Sequence, residues 1–203
     1  MDRGLDERDL AGTWLEQFEA WQRDVVAAGV HEPEAMVLST AGADGRLASR
    51  TVLLKGLDGR GFVFYTNLDS RKGRQLAENQ HASLLFPWHP MGRQAIVIGA
   101  VERVEDAEAD AYFATRPYGS RIGAHASRQS RVIASRAVLD AARAELEARY
   151  PPRGEVPRPQ RWSGFRVVPE SVEFWQRRPD RLHDRLRFRR REDGAWVVER
   201  LSP

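Results

Sequence analysis

Short apolar segments, separated by turn residues, recur about every ten residues between residues 35 and 104. We predict strands there over 35–40, 47–56, 62–67, 82–88 and 94–104. The sequences Ala43-Asp44-Gly45 and Asp58-Gly59-Arg60-Gly61 supply tight turns between successive strands. Regularly spaced short strands of this kind are typical of an antiparallel barrel or sandwich.

Helical patterns flank the predicted strands. Thr13 and Glu16 have the spacing of a capping box, and apolar residues follow at helical intervals until Gly29. Further helices are predicted over 70–79, 105–116 and 135–150, and further strands over 165–168, 171–176, 185–190 and 195–201. The expected fold is therefore mainly β with peripheral helices, in the α+β class.

The composition is that of a globular protein. Hydrophobic residues make up 41% of the 203 residues and charged residues 30%, which is too apolar for a disordered chain. No apolar run approaches the roughly 20 residues that a membrane-spanning helix requires, and the amino terminus lacks the apolar core of a signal peptide. Cysteine is absent, which excludes disulfides, thiolate metal sites and a catalytic cysteine. We expect a cytoplasmic protein.

We predict one domain over residues 1–203. Its parts are a segment and helix over 1–30, the main barrel strands over 35–104, helices over 105–150 and carboxyl-terminal strands over 162–203. No internal repeat, low-complexity tract or long linker divides the sequence.

Lysine is rare in this sequence. Lys+Arg total 32 against 29 Asp+Glu, a net charge of +3, yet only Lys55 and Lys72 are lysines. Because the other cations are arginines, these two are candidates for sites that require a compact ammonium group. The alternative is that both lysines are surface residues that have been retained by chance.

The apolar segment from Arg50 to Lys55 has a cation at each end. In an extended strand the two side chains point to opposite faces, so each could hold its own anion. Charges at the solvated ends of a buried strand are the alternative.

A second cation pair, Arg71 and Lys72, follows Tyr65-Thr66-Asn67 and the helix-capping residue Ser70. The free N–H groups and the positive dipole end of a helix amino terminus favour a phosphate site there. An ordinary solvated helix start is the alternative.

A third set is Tyr112, Arg116 and Ser120. Tyr112 and Arg116 are four residues apart and share a helix face, and Ser120 follows closely. A phenol, a guanidinium and a hydroxyl in this arrangement suit a phosphate ester.

A fourth set lies in Arg181-Leu-His-Asp-Arg185. If this stretch is extended, Arg181, His183 and Arg185 alternate onto one face, with two cations around a titratable imidazole. The alternation continues to Arg189, so the row could instead be a solvent-facing strand or a nucleic-acid contact.

The sequence contains no recognisable metal or nucleotide motif. The five histidines lack carboxylate partners at zinc-ligand spacing. No glycine pattern of the dinucleotide or P-loop type occurs at a predicted strand-to-helix turn, and there is no nucleophile elbow. We therefore predict no metal site.

A series of ordered motifs extends from about Leu10 to the carboxyl terminus. They include Arg50-Thr-Val-Leu-Leu-Lys55, Gly61-Phe-Val-Phe-Tyr-Thr-Asn67, Ser70-Arg-Lys72, Ser83-Leu-Leu-Phe-Pro-Trp88, Ser127-Arg-Gln-Ser130, Gly164-Phe-Arg166, Glu173-Phe-Trp-Gln176 and Arg181-Leu-His-Asp-Arg185. In content and order they closely resemble the pyridoxine/pyridoxamine 5′-phosphate oxidase family.

The resemblance implies an FMN-binding split β-barrel that works as a homodimer, with FMN at the subunit interface. The cofactor-binding residues that it implies are Arg50, Thr51, Val52, Leu53, Leu54, Lys55, Tyr65, Thr66, Arg71, Lys72, Gln94, Gln129, Ser130, Trp175 and Arg185. The substrate-binding residues that it implies are Lys55, Tyr112, Arg116, Ser120, Arg181 and His183. Of these, Arg181 and His183 would be catalytic and would lie over the pyridine ring.

The resemblance also implies the reaction. Pyridoxamine 5′-phosphate or pyridoxine 5′-phosphate would lose a hydride from C4′ to flavin N5 and give pyridoxal 5′-phosphate, and O2 would reoxidise the flavin with H2O2 as product. An oxidase of the same fold that acts on a dihydrophenazine is the enzyme alternative. A basic β-module that binds nucleic acid is the non-enzyme alternative. The leading interpretation includes no nucleic-acid or membrane partner.

Several positions depart from the family pattern. His125 stands where tryptophan is common, Arg177 stands where glycine is usual, and Glu32 replaces an aspartate before the proline. We also expect this chain to lack the amino-terminal arginine and tyrosine that cover the substrate in the family. These differences bear on affinity and substrate choice rather than on the flavin site.

Overall fold

A computed structural model describes residues 4–152 and 154–203, which form nine strands and five α-helices. The strands are β1 (Ala35–Ala41), β2 (Leu47–Leu53), β3 (Gly56–Asp58), β4 (Gly61–Asn67), β5 (His81–Phe86), β6 (Arg93–Arg103), β7 (Trp162–Gln176), β8 (Asp184–Arg190) and β9 (Trp196–Arg200). The helices are α1 (Trp14–Ala27), α2 (Arg71–Glu78), α3 (Asp106–Thr115), α4 (Tyr118–Ala126) and α5 (Arg136–Arg149). The predicted class, mainly β with peripheral helices, is confirmed. The first three residues of the predicted 1–30 segment lie outside the described residues.

The strands of the described residues form one antiparallel sheet. Its order is β2-β1-β5-β6-β7-β4-β3, with β8 paired to β7 and β9 paired to β8. Because β7 contacts three other strands, it connects the amino-terminal strands to the carboxyl-terminal pair.

Strand β7 divides one of its edges between two partners. β6 pairs with β7 along almost all of its length, whereas β4 pairs with the first half of β7 and β8 with the second. The register against β6 shifts between Ile98 and Gly99, where Gly99 lies opposite Pro169. Such a bulge suits proline, which has no N–H for the ladder. The sequence prediction of two strands, over 165–168 and 171–176, is therefore wrong: the bulge accommodates Pro169 and the strand continues.

Helix α1 covers the core side of the sheet. The predicted capping box is present, since Thr13 Oγ1 accepts from Glu16 N at 3.2 Å and Glu16 Oε2 accepts from Thr13 N at 3.1 Å. The buried residues of its apolar stripe include Trp14, Phe18, Trp21 and Val25. The Phe18 ring meets the rings of Phe62 and Phe86 edge-on, with centroids 5.0 and 4.8 Å apart. The stripe belongs to the hydrophobic core.

The predicted strand over 47–56 is in fact two strands. β2 ends at Leu53, and β3 begins at Gly56 and pairs with β4. Between them Leu54 is buried in the core, and Lys55 N already donates to Val63 O at 2.8 Å. The chain therefore leaves the β1 ladder and joins β4 within two residues, and Gly56 is the first residue of the new strand.

The helices follow the predictions except at α4. α2 begins after Ser70, whose Oγ accepts from Gly73 N at 3.2 Å, and α3 and α5 lie within the predicted ranges. α4 is absent from the sequence prediction, because Pro117-Tyr118-Gly119 has the composition of a turn. Within residues 4–152 and 154–203, no helix combines the length and apolar character needed to cross a membrane.

Candidate functional site

A cavity of about 260 Å³ opens beside the amino terminus of α2. Its walls come from β2, β4, α2, α3 and the start of β7. The lining residues are Thr51, Val52, Leu53, Lys55, Tyr65, Thr66, Lys72, Tyr112, Arg116, Gln129 and Trp162. All of them except Trp162 are site residues that the sequence predicts, so residues from four separate motifs meet at one cavity.

Lys72 lies in the cavity wall and is only 7% exposed. Its Nζ donates to Thr66 Oγ1 at 3.0 Å, to Ser70 Oγ at 3.3 Å and to Gln129 Oε1 at 2.9 Å. All three acceptors are neutral, and no carboxylate of the described chain pairs with Lys72. A buried cation without a counter-charge is costly, so this arrangement favours a bound anion.

The titration of Lys72 reflects this environment. Burial lowers the pKa of Lys72 from its ordinary 10.5 to about 8, and the nearby charge of Arg50 acts in the same direction. A phosphate beside Nζ would favour the ammonium form and oppose both effects.

Two further cations lie close to Lys72. Arg50 Nη1 donates to Thr40 Oγ1 at 2.7 Å, and burial together with the charge of Arg71 lowers the pKa of Arg50. Arg71 N donates to Ser130 Oγ at 3.1 Å, which ties the start of α2 to the 129–130 segment. Within the described residues neither arginine has an ion-pair partner. Three cations beside a helix amino terminus, with no carboxylate among them, are typical of a phosphate site.

Three stacked aromatic rings form another wall of the cavity. The Tyr65 and Tyr112 centroids are 4.0 Å apart with 14° between the planes, and those of Tyr65 and Trp162 are 5.2 Å apart with 6°. Gly164 faces Tyr65 on β7, where a Cβ would lie 2.8 Å from the Tyr65 ring. Burial raises the pKa of Tyr65 to about 12, so its phenol stays protonated and can donate a hydrogen bond.

Arg116 follows α3 and faces the same cavity. Its guanidinium carbon lies 4.7 Å from the Trp162 ring centroid, a cation–π distance. Arg116 Nη1 is buried without a hydrogen-bond partner among the described residues, and desolvation lowers the pKa of Arg116. An orphaned guanidinium donor at a cavity indicates an oxygen anion that comes with a ligand.

Lys55 brings the second lysine to the cavity. Its Nζ lies 3.8 Å from Glu34 Oε1, which is a weak, partly exposed pair. The single strand predicted to contain both Arg50 and Lys55 is interrupted, because β2 ends at Leu53 and β3 begins at Gly56. The expectation that both lysines belong to sites nevertheless agrees with their shared cavity.

Leu54 and Ser120 do not line the cavity. Leu54 is buried in the hydrophobic core, and Ser120 is exposed in the first turn of α4, where its N–H donates to Pro117 O at 2.9 Å. Their ligand contacts stay predictions.

The remaining predicted residues form a second group, and none of them lines the cavity. They are Gln94, Trp175, Arg181, His183 and Arg185. Gln94, Trp175 and Arg185 lie in register across β6, β7 and β8. The His183 ring packs against the Trp175 ring, with their centroids 4.6 Å apart. Arg181 is exposed and makes no hydrogen bond or ion pair with the described residues. Within a single chain, the predicted site residues therefore lie in two separate groups, one around the cavity and one near β8.

The arginine row of β8 is paired within the chain. Arg185 donates to Glu173 from Nε and Nη2 at 2.7 and 3.0 Å. Arg187 and Arg189 both pair with Glu199, at 2.6 and 2.7 Å. Paired arginines offer little net charge to a polyanion. The arginine row of β8 therefore no longer supports the nucleic-acid alternative.

Two residues of these groups were not predicted from the sequence as site residues. Trp162 completes the ring stack, but it is distant in sequence from Tyr65 and no motif marks it as part of that site. Glu173 is 8% exposed and holds Arg185. The signal for Glu173 is a carboxylate inside the apolar Val172-Glu-Phe174 strand, which requires a partner because buried charges are paired.

The cavity can bind a ligand that carries phosphate and a flat ring. Two sets of anion donors lie beside the aromatic wall: Lys72, with Arg50 and Arg71 close by but outside the cavity lining, and Arg116 with Lys55. In the described part of the chain, no three His, Asp or Glu side chains lie together as a metal site would require.

Two family models together match most of the chain. Residues 23–150 match pyridoxamine 5′-phosphate oxidase, and residues 162–203 match the C-terminal dimerisation region of pyridoxine 5′-phosphate oxidase. A pyridoxine/pyridoxamine 5′-phosphate oxidase from Streptomyces avermitilis is 57% identical over 204 residues, covering 98% of this chain and 91% of the relative. One from Salinispora arenicola is 54% identical over 202 residues, covering 100% of this chain and 91% of the relative.

Solved structures agree on the fold. PhzG from Burkholderia lata, in complex with tetrahydrophenazine-1-carboxylic acid, superposes with a TM-score of 0.91 at 35% identity over 98% of both chains. A pyridoxamine 5′-phosphate oxidase-related, FMN-binding protein from Nostoc punctiforme has a TM-score of 0.75 at 15% identity, over 96% of this chain and 100% of that one, and bears on the fold alone. The chain thus has the split-barrel fold that its motifs predicted, and it belongs to the pyridoxamine 5′-phosphate oxidase family of oxidoreductases.

Proposed function

We propose that this chain is an FMN-dependent oxidase that converts pyridoxamine 5′-phosphate and pyridoxine 5′-phosphate to pyridoxal 5′-phosphate, with O2 as acceptor and H2O2 as product. The observation that carries the proposal is the cavity at which the buried Lys72 and the buried Nη1 atom of Arg116 have no carboxylate partner in the described chain. Relatives of that name at 54–57% identity support the substrate class. A homodimer in the cytoplasm, without nucleic-acid or membrane partners, is part of the proposal.

FMN fits the residues around Lys72. Arg50, Lys72 and Ser130 would hold its phosphate, with Gln129 beside the ribityl chain. The β2 segment over 51–53 and the end of β4 at Tyr65 and Thr66 would contact the rest of the cofactor. When bound, FMN would supply the redox chemistry, namely acceptance of a hydride from substrate C4′ and transfer of the electrons to O2.

The other cavity residues suit the phosphate of the substrate. Arg116 Nη1 can donate to it without giving up an existing hydrogen bond. Burial raises the pKa of Tyr112, so its phenol stays a donor, and Lys55 and Ser120 add an ammonium and a hydroxyl. Each hydrogen bond to a charged group contributes about 1.5–3 kcal/mol, so together these residues fix the position of the substrate ring.

The second group would complete the site across a dimer interface. Four of its five residues lie within 162–203, the range that matches a dimerisation region. In the proposed dimer, Gln94, Trp175 and Arg185 of one subunit approach the flavin held by the other. Arg181 and His183 approach the substrate ring in the same way.

Arg181 and His183 would have different roles in turnover. Arg181, which has no partner in the described chain, orients the substrate and stabilises charge that develops on it. His183 assists by hydrogen bonding. An obligatory base is unnecessary, because water can take the proton that leaves the amine or alcohol.

A dihydrophenazine oxidase is the second candidate, and the TM-score of 0.91 with PhzG favours it. The ligand of that structure is a carboxylic acid and carries no phosphate ester. A set of donors such as Lys55, Tyr112 and Arg116 matches a phosphate dianion better than a carboxylate. We therefore rank the phosphorylated vitamers first.

The test is the absorption spectrum and the peroxide yield of the purified full-length protein. We expect a yellow protein that forms H2O2 with pyridoxine 5′-phosphate and pyridoxamine 5′-phosphate, and far less with unphosphorylated pyridoxine. A colourless protein that does not take up added FMN would refute the proposal. Peroxide formation with a dihydrophenazine carboxylate alone would establish the second candidate instead.

A further inference from the structure

The loop over 178–184 folds back on the imidazole of His183. Asp180 and Arg181 both have left-handed backbone, with φ of 56° and 60°, which reverses the chain sharply. Arg178 N lies 3.1 Å from His183 Nδ1 as a result. Non-glycine residues with this backbone are strained and persist where the surrounding structure holds them.

Asp184 holds the base of this loop. Its Oδ2 accepts from Leu5 N at 3.0 Å and lies 3.5 Å from Arg178 Nε, while its Oδ1 accepts from Arg200 Nη1 at 3.1 Å. The Trp175 ring packs against the imidazole. These contacts keep the Arg178 amide and the His183 ring together.

The direction of the hydrogen bond determines where His183 carries its proton. A backbone amide N–H can only donate, so His183 Nδ1 accepts and has no proton of its own. In the neutral ring the proton is then on Nε2. A second proton, on Nδ1, would displace the Arg178 amide and set two donors against each other.

We propose that the backbone amide of Arg178 fixes His183 as the Nε2–H tautomer, so that His183 offers its ligand a hydrogen-bond donor and cannot act as a base. The ligand atom that meets Nε2 is therefore an acceptor, an oxygen or an unprotonated nitrogen. The proton that leaves the substrate passes to water or to another group. The consequence for turnover rests on the proposed function, whereas the tautomer does not.

The tautomer can be read directly by nitrogen NMR on the full-length protein with FMN added. The chain has five histidines, so ¹⁵N-histidine labelling gives few signals, and His183→Gln identifies the one that belongs to His183. We expect the neutral ring to have an unprotonated Nδ1 and a protonated Nε2. A neutral ring with its proton on Nδ1 would overturn the proposal. Arg178→Ala removes the side-chain contact with Asp184 but keeps the backbone amide, so we expect the tautomer to persist in this variant.

Kinetics of two amide variants test the donor role. The side-chain amide of His183→Gln can reach the position of Nε2, whereas that of His183→Asn reaches only the position of Nδ1. The loss of one neutral hydrogen bond lowers a rate about three- to tenfold, while the loss of a general base lowers it about 10²–10⁴-fold. We expect His183→Gln to keep kcat within about threefold and His183→Asn to lose about three- to tenfold. Losses above about a hundredfold in both variants would indicate a base and contradict the proposal.

The two measurements separate the inference from the proposed function. Protein without flavin or turnover, but with the Nε2–H tautomer, would reject the function and keep the tautomer assignment. Active yellow protein whose neutral His183 ring has its proton on Nδ1 would reject the inference alone.

Discussion

Cations concentrate in two regions of this molecule, around the cavity and along β8, and their partners differ. At the cavity, Lys72 is bonded only to neutral oxygens and Arg116 Nη1 is buried without a partner in the described chain. Along β8, Arg185 pairs with Glu173, and Arg187 and Arg189 share Glu199.

The difference distinguishes cations that serve ligand binding from cations that only form ion pairs within the fold. Ion pairs on a strand surface contribute little to stability and leave little charge over. Buried cations without counter-charges destabilise the empty protein and are retained where a ligand anion compensates them. We therefore expect substitutions of unpaired cations to change function far more than stability, and substitutions of the paired Arg187 or Arg189 to change neither strongly.

The largest effect should follow the loss of Arg181, the unpaired cation beside β8. We expect Arg181→Leu to keep bound FMN and to lower kcat about 10²–10³-fold, the usual cost of removing a donor that stabilises developing charge. Steady-state peroxide assays with a flavin spectrum of the same sample measure both quantities. Arg189→Leu removes a paired arginine of the same row and serves as control. Unchanged turnover in Arg181→Leu would refute the role of Arg181 over the substrate.

Lys72→Met should give the next largest effect. Replacing a charged donor to a phosphate raises the Kd for FMN about 10- to 150-fold, so the variant should purify largely without flavin. Fluorescence titration with FMN measures the change. Arg187→Met removes a cation that is paired with Glu199, and its Kd should stay near that of the wild type. Equal FMN affinity in the Lys72 variant and the wild type would place the phosphate elsewhere.

Arg116→Met should act on the substrate and spare the cofactor. Because Lys55 and Tyr112 also reach the cavity, we expect a rise in KM for pyridoxine 5′-phosphate of about tenfold, with normal FMN content. Activity with unphosphorylated pyridoxine is the internal comparison and should not change. A parallel loss with both substrates would show that Arg116 supports the fold and not the phosphate.

The smallest effect is a pH dependence of FMN binding. The pKa of Lys72 is lowered to about 8, so below pH 8 its ammonium is already formed in the free protein and affinity should be flat. Above pH 8 the protein must take up a proton to bind the dianion, so affinity should fall, by up to about tenfold between pH 8 and 9. The phosphate itself titrates near pH 6 and adds no change in this range. Lys72→Arg stays charged, and a matching decline in that variant would assign the titration to another group.

Local signals predicted much of the fold. The Thr13–Glu16 capping box and the cap at Ser70 define helix starts through neighbouring residues alone, and both are observed. The joins between elements depend on distant partners. β7 continues past Pro169 because a bulge in β7 itself accommodates the proline, and β2 ends before Lys55 because the chain joins β4 there.

The site was predictable to a similar degree. The two rare lysines and the spacing of Tyr112 and Arg116 led to residues that do line one cavity. Trp162 was not predictable, since only the pairing of β4 with β7 brings it to Tyr65. Nor does the sequence reveal that Arg185 is held by Glu173, because cross-strand register decides that contact.

The most direct test of the phosphate site is a comparison of FMN with riboflavin, which has the same ring system and no phosphate. Fluorescence titrations of the flavin-free protein with both ligands would isolate the contribution of Arg50, Arg71 and Lys72. We expect FMN to bind at least about a hundredfold more tightly, since several charge-assisted hydrogen bonds act on the phosphate together. Equal affinities for the two flavins would contradict the assignment of these unpaired cations to the cofactor.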